Sequence, residues 1–231
     1  MATTRRPTIV AMALLCLASP ALAADEASLA PVPQETVYAY RVTTPDFGEI
    51  GHYVNRIRAD GARTIVDTEI AIRVRVLLVT AFSLKAERRE TWQDGAFVGF
   101  DGETLKNGAT ISLDVHAEDG GLLVEGPHGE RLVPGSVMPL NPWSPHILAM
   151  TEAMSTESGR VYGVTIRDEG PVELEVEGRE IEAQHYLVEG DEGAEVWFDE
   201  AGRPVRFAIN EDGRVLTFTL ASSLAELARA D

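Results

Sequence analysis

From Val37 to Leu220 the chain alternates apolar and polar residues with a period of two, and turn-forming clusters interrupt the alternation. Ile111, Leu113 and Val115 are spaced by Ser112 and Asp114, Val172, Leu174 and Val176 by Glu173 and Glu175, and Leu216, Phe218 and Leu220 by Thr217 and Thr219. Such spacing places successive side chains on opposite faces of a half-buried strand. Between the runs lie Asp119-Gly120-Gly121, Pro127-His128-Gly129, Glu177-Gly178-Arg179, Glu200-Ala201-Gly202 and Asp212-Gly213, which supply the positive φ angles of tight hairpins. About ten to twelve strands joined in this way predict an antiparallel meander, because parallel pairs need long crossovers.

The stretch between Arg63 and Gly95 contains no glycine or proline. Its even positions Val66, Ile70, Ile72, Val74, Val76, Leu78, Phe82, Leu84 and Trp92 are apolar, whereas odd positions such as Asp67, Glu69, Arg73, Arg75, Lys85, Glu87 and Arg89 are charged. One face is therefore expected in the core and the other in water. A single strand of ~30 residues would far exceed the usual length, so a bend or hairpin is expected near 77–81. That joint is apolar on both parities, which predicts cover by another strand or a helix ahead of an exposed tip.

Two helices are expected. Ser144-Pro145 reads as an N-cap with proline at the first helical position, Gly159 as the end, and Ile147, Met150 and Met154 as one apolar side. Ser223 with Glu226 reads as a capping box for a short helix over 223–231. The expected fold is mainly β: a large curved antiparallel sheet, half-barrel or open barrel, with one covering helix and a short C-terminal helix. It occupies 37–222 as one domain, after a flexible lead-in over 24–36. A hairpin echo, Glu90, Trp92, Asp94 and Phe100 against Glu195, Trp197, Asp199 and Phe207, fits a shared turn solution better than a duplication.

Composition adds an address. Residues 1–23 have the form of a secretory signal: Arg5 and Arg6, an apolar run from Ile9 to Ala18, and Ala21-Leu22-Ala23 at the cleavage site. Cys16, the one cysteine, lies in the apolar run behind Leu15 and is expected to leave with it, which removes disulfides and thiolate chemistry. The product is expected to be periplasmic or secreted, with no transmembrane segment after cleavage. The 231 residues carry 37 Asp and Glu against 20 Lys and Arg, a net charge of −17. That balance argues against nucleic acid and anionic membrane surfaces as partners, since both require clustered cations.

Catalytic signatures are missing from the sequence. His52, His116, His128, His146 and His185 have no metal-ligand spacing, and only His185 shares parity with apolar neighbours. No metal or cofactor is expected. Glu87 and Glu90 beside Trp92 are the least arbitrary carboxylate pair, because a tryptophan can raise a carboxylate pKa by desolvation, but flanking Arg88 and Arg89 explain the run as surface ion pairing. The chief expectation is a carrier for an apolar, lipid-like ligand, held by Val74, Val76, Leu78, Phe82, Leu84 and Trp92 with Ile147 and Met150 as a lid. The alternative is an envelope interaction module with a filled core, whose partner docks on an edge strand or on the 77–81 joint. A hydrolase using two carboxylates comes third.

Several segments, in order, resemble an exported bacterial family catalogued only as a domain of unknown function. They are Glu49-Ile50-Gly51-His52, the strand from Ile65 to Leu78, Glu90-Thr91-Trp92-Gln93-Asp94-Gly95, Asn141-Pro142-Trp143, Gln184-His185-Tyr186 and Val196-Trp197-Phe198-Asp199. The resemblance implies a layout similar to the curved half-barrels of lipoprotein and lipid carriers, and it implies no catalytic residues.

Overall fold

The computed structural model describes residues 34–221 except Leu78 and Asp212. The signal segment, most of the lead-in and the expected C-terminal helix lie outside the described residues. Strands β1 (Gln34–Thr44), β2 (Gly48–Asp60), β3 (Arg63–Val76), β4 (Val79–Gln93), β5 (Ala96–Lys106), β6 (Ala109–Glu118), β7 (Gly121–Gly126) and β8 (Gly129–Val133) run up and down through tight turns. The lead-in is thus shorter than expected, since β1 begins at Gln34 and pairs there with β2. An insert follows, with β9 (Met138–Pro139), a 3₁₀ turn over Pro145–Ala149, β10 (Glu152–Met154) and β11 (Val161–Gly163). The chain then resumes with β12 (Thr165–Val176), β13 (Arg179–Glu189), β14 (Ala194–Phe198), β15 (Pro204–Glu211) and β16 (Arg214–Leu220).

All antiparallel, thirteen strands form one sheet in the order β12-β13-β14-β15-β16-β1-β2-β3-β4-β5-β6-β7-β8. The last strand returns to the first, with Tyr40 opposite Leu220 and Val42 opposite Phe218. β8 and β12 do not pair, so the sheet stays open. Its apolar face is the one the alternation marked: Val66, Ile70, Ile72, Leu84 and Trp92 are buried. Tyr40 and Tyr53 pack edge-on against Phe207, which stacks on Phe218 at 4.2 Å. The same core takes in Leu84 of β4 and Val176 of β12, so strands far apart in the sheet order meet in it and the sheet bends around it.

The insert corrects one expectation. Among the described residues there is no α-helix. Ser144 does cap a turn, accepting from the His146 N–H with Pro145 next, but the helical geometry ends at Ala149. Beyond it, Glu152–Met154 pairs with β11 on one side and with Met138–Pro139 on the other. Buried Ile147, Met150, Ala153 and Met154 satisfy the expected apolar side with a 3₁₀ turn and a strand. Periodicity over so few residues does not separate the two solutions.

The second correction concerns the joint. Leu77 sits at a hairpin apex with φ of 58° and is 94% exposed, and Val79 is 67% exposed. Nothing among the described residues covers it. The hairpin echo also resolves: Glu90 and Trp92 point into the core, whereas Val196 and Phe198 are buried and Trp197 stacks on His185 in the outer layer. The turns differ as well: Asp94 and Gly95 both take positive φ in a two-residue turn, whereas Asp199 accepts from the N–H groups of Ala201 and Arg203 across a longer loop.

Candidate functional site

The inner face of β2–β5 carries a polar belt at positions whose neighbours are apolar. Register places Asn55 opposite Thr68, Thr68 opposite Arg88, and Val66 opposite Glu90. The insert reaches this belt through Asn141. Its side-chain oxygen accepts from the Tyr53 hydroxyl at 2.8 Å and from Asn55 Nδ2 at 3.1 Å. Its Nδ2 donates to Glu90 Oε1 at 2.6 Å. Thr68 Oγ1 donates to Asn55 Oδ1 at 2.7 Å, so every member of this network has a partner.

Glu90 is buried and receives two further bonds on Oε2, from Trp92 Nε1 at 3.0 Å and Trp143 Nε1 at 3.2 Å. Burial pushes its pKa up to about 7, outweighing the bonds from Asn141, Trp92 and Trp143 and the nearby Arg88 charge, which favour the carboxylate. His146 packs beside both indoles, at 4.5 Å from the Trp92 ring and 4.6 Å from that of Trp143. Burial lowers its pKa to about 4. Ser144 Oγ lies 2.6 Å from its Nδ1, while its Nε2 is buried without a hydrogen-bond partner among the described residues.

Next to this clasp lies a cavity of about 360 Å³. Its inner walls are apolar, formed by Ile70, Ile72 and Leu84 on one side and Val196, Phe207 and Phe218 on the other. Its other end is polar. Arg88 donates to Thr156 Oγ1 at 2.7 Å and Thr104 Oγ1 at 3.3 Å, and its Nε is buried without a partner among the described residues. Burial lowers the Arg88 pKa, yet the group stays cationic because arginine titrates so far above neutral pH. Lys106 closes the rim by bridging Glu157 of the insert at 3.1 Å and Glu211 of β15 at 2.5 Å. Glu192, also at the rim, has its pKa raised by burial. A second depression of about 470 Å³, among Arg56, Asp67, Glu87 and Arg89, is more open and lined by charged residues and Thr68. It has no apolar wall to hold a ligand.

The sequence-derived residues divide accordingly. Phe82, Leu84 and Ile147 line the cavity. Val74 is half-buried against the same core, and Met150 is buried in it without lining the space. Trp92 belongs to the second core, with Phe97 and Phe100, and reaches the site by its bond to Glu90. Val76 is 46% exposed near the hairpin apex, so it does not join them. Leu78 lies outside the described residues. Glu87 stands opposite Glu69 and is exposed, on the other face from Glu90, so the carboxylate pair does not form. His185 is partly buried, stacking on Trp197 and meeting Glu195 Oε2 at 2.9 Å. The residues that alternation did not single out are Tyr53, Thr68, Arg88 and Asn141. For Thr68 and Arg88 the available signal was a polar residue at an even position of β3 or β4, where the pattern demands an apolar one.

Fold and site together define an open, mainly β domain with a large antiparallel sheet wrapped over a partly hollow core. The chain belongs to the family described as Domain of unknown function (DUF6134), whose model matches residues 40–221. No curated protein matches it. Its fold is similar to that of a β-barrel-like protein of Domain of unknown function DUF1849 from Brucella abortus, seen in a crystal structure, at a TM-score of 0.58. Sequence identity there is 12%, over 82% of this chain and 96% of that one. Among the described residues no helix is long and apolar enough to cross a membrane.

Proposed function

We propose that the protein is an exported carrier that holds a lipid-like ligand by its apolar chain. The observation that carries the reading is the cavity: about 360 Å³, apolar inside and polar at one end. That volume lies within the range of small-molecule sites, about 300–1,000 Å³. An interaction module with a filled core would leave no such space. Arg88 and Lys106, which line the polar end, suit an oxygen acceptor on the ligand's head, such as an ester or amide carbonyl. The rim acids Glu157, Glu192 and Glu211 disfavour a strongly anionic head. The signal-like residues 1–23 support export.

Native mass spectrometry of protein purified from its host is expected to show a lipid-sized adduct lost on collisional activation. In parallel, a fluorescent fatty-acyl probe is expected to bind the delipidated protein, and Ile209→Trp, which places an indole at a lining position, to weaken that binding at least about tenfold. An adduct-free spectrum together with probe binding indifferent to Ile209→Trp would refute the carrier reading.

A further inference from the structure

The hairpin of β3 and β4 outruns the sheet. β2 pairs with β3 only as far as Ile72, and β5 pairs with β4 only from Leu84 onward. Between those limits the two strands pair with each other alone, ending at Val76 opposite Val79. The result is a free two-stranded ribbon, with a register shift between Val74 and Arg75. At its apex Leu77 adopts φ of 58°, a conformation that glycine or asparagine takes more readily. Neither backbone geometry nor burial favours leucine there, yet Val76, Leu77 and Val79 present a contiguous apolar apex to solvent.

Charge separates this ribbon from the rest of the protein. Between Glu69 and Glu87 the sequence contains no acid, but it has Arg73, Arg75 and Lys85, in a chain of net charge −17. All three cations are exposed. An apolar apex with cations set behind it is the arrangement that places side chains among acyl chains and ammonium or guanidinium groups at phosphates. Chain-average charge, which argues against anionic surfaces, hides this local reversal.

Position adds to the argument. Lys106, which bridges the cavity rim, is the register partner of Leu84 at the ribbon's base, and Asn107 is bonded to Ser83 in both directions. Phe82 and Leu84 line the cavity, and Val74 packs against the same core. The ribbon's inner side is thus continuous with the apolar wall, and its apex stands beyond the rim.

We propose that the β3–β4 ribbon docks on a lipid bilayer bearing anionic headgroups, inserting Val76, Leu77 and Val79 and bringing the cavity rim to the membrane surface. Docking stands on the ribbon itself, and its use in ligand transfer rests on the carrier reading above. The test is flotation of the purified protein with phosphatidylcholine vesicles, with and without phosphatidylglycerol. Binding is expected with the anionic vesicles and to weaken with salt. The double substitution L77S/V79S is expected to reduce it at least about tenfold while leaving the melting temperature and acyl-probe affinity unchanged. R73E/R75E, on exposed positions, is expected to reduce it as much and to remove the salt dependence.

Equal binding by wild type and both variants would overturn the proposal, as would equal binding to neutral and anionic vesicles. So would concentration-dependent dimerisation abolished by L77S/V79S, which would make a second copy the occupant. If L77S/V79S unfolds, the R73E/R75E result decides alone. Ribbon-dependent flotation without any acyl-probe binding would uphold docking and refute the carrier reading.

Discussion

Glu90 keeps its proton up to about pH 7 in the folded chain, against an ordinary value of 4.5, so folding takes up a proton between those values. Because the folded pKa is the higher one, its contribution to stability is complete below the unfolded value and is lost as pH rises through the folded one. At ~1.36 kcal/mol per unit, the loss between about pH 5 and about pH 8 comes to roughly 2.5 kcal/mol. His146 runs the opposite way: burial lowers it from 6.5 to about 4, so its contribution is present above the unfolded value and lost as pH falls through the folded one. Over the shared window the two slopes oppose each other, and the wild-type profile conceals both. Glu90→Gln removes one of them. The glutamine oxygen can still accept from Trp92 and Trp143, but its amide would face Asn141 Nδ2, whose own oxygen is engaged by Tyr53 and Asn55. That mismatch costs about 1–3 kcal/mol at any pH. The variant should therefore be less stable than wild type near pH 5, and the difference should shift by about 2.5 kcal/mol in the variant's favour by pH 8. Urea unfolding followed by tryptophan fluorescence measures it, since two of the three tryptophans touch Glu90. A stability difference equal at both pH values would refute the assignment of a buried, protonated Glu90.

Asn141→Ala should cost about 2–4 kcal/mol, because it leaves Tyr53, Asn55 and Glu90 buried with unmet bonds, and a denaturant melt reads it directly. Gly51→Ala should be at least as damaging, about 3 kcal/mol or more, since the added Cβ would stand 2.0 Å from the Ala71 carbonyl oxygen at a φ of 156°. A melt within about 0.5 kcal/mol of wild type would contradict the close β2–β3 approach at that point.

Alternation made the sheet legible because one face of each strand is buried, and parity alone then assigns Ile70, Ile72, Leu84 and Trp92 to the core. It failed where parity carries other information. Arg88 and Glu90 read as surface charges when taken with Glu87 and Arg89, whereas the register sends them inward and the others outward. Only the arrival of Asn141 and Trp143 from a segment some fifty residues later makes Glu90 tolerable in the core. No local pattern announces that meeting. The insert misled for a related reason: Ile147, Met150 and Met154 fit a helix, but Glu152–Met154 is claimed by two strands that the local sequence does not reveal.

The hollow core follows from the same division. A sheet of thirteen strands encloses more volume than its inward side chains fill, and the insert supplies the missing material unevenly. Val137, Met154 and Trp143 pack the half formed by β5–β8 and the ends of β3 and β4. Ile147 and Met150 reach only part of the other half, where Phe207, Leu216 and Phe218 face the remaining space. The clasp around Glu90 lies on the boundary and shares Tyr53, Thr68 and Asn141 with the cavity wall. The groups that fix the insert to the sheet are therefore the groups that shape the void. At its polar end Arg88 is held by Thr156 and Thr104, and Lys106 by Glu157 and Glu211. A ligand entering from the rim meets paired charges and then an apolar wall, a combination that favours a long apolar chain over a highly polar molecule.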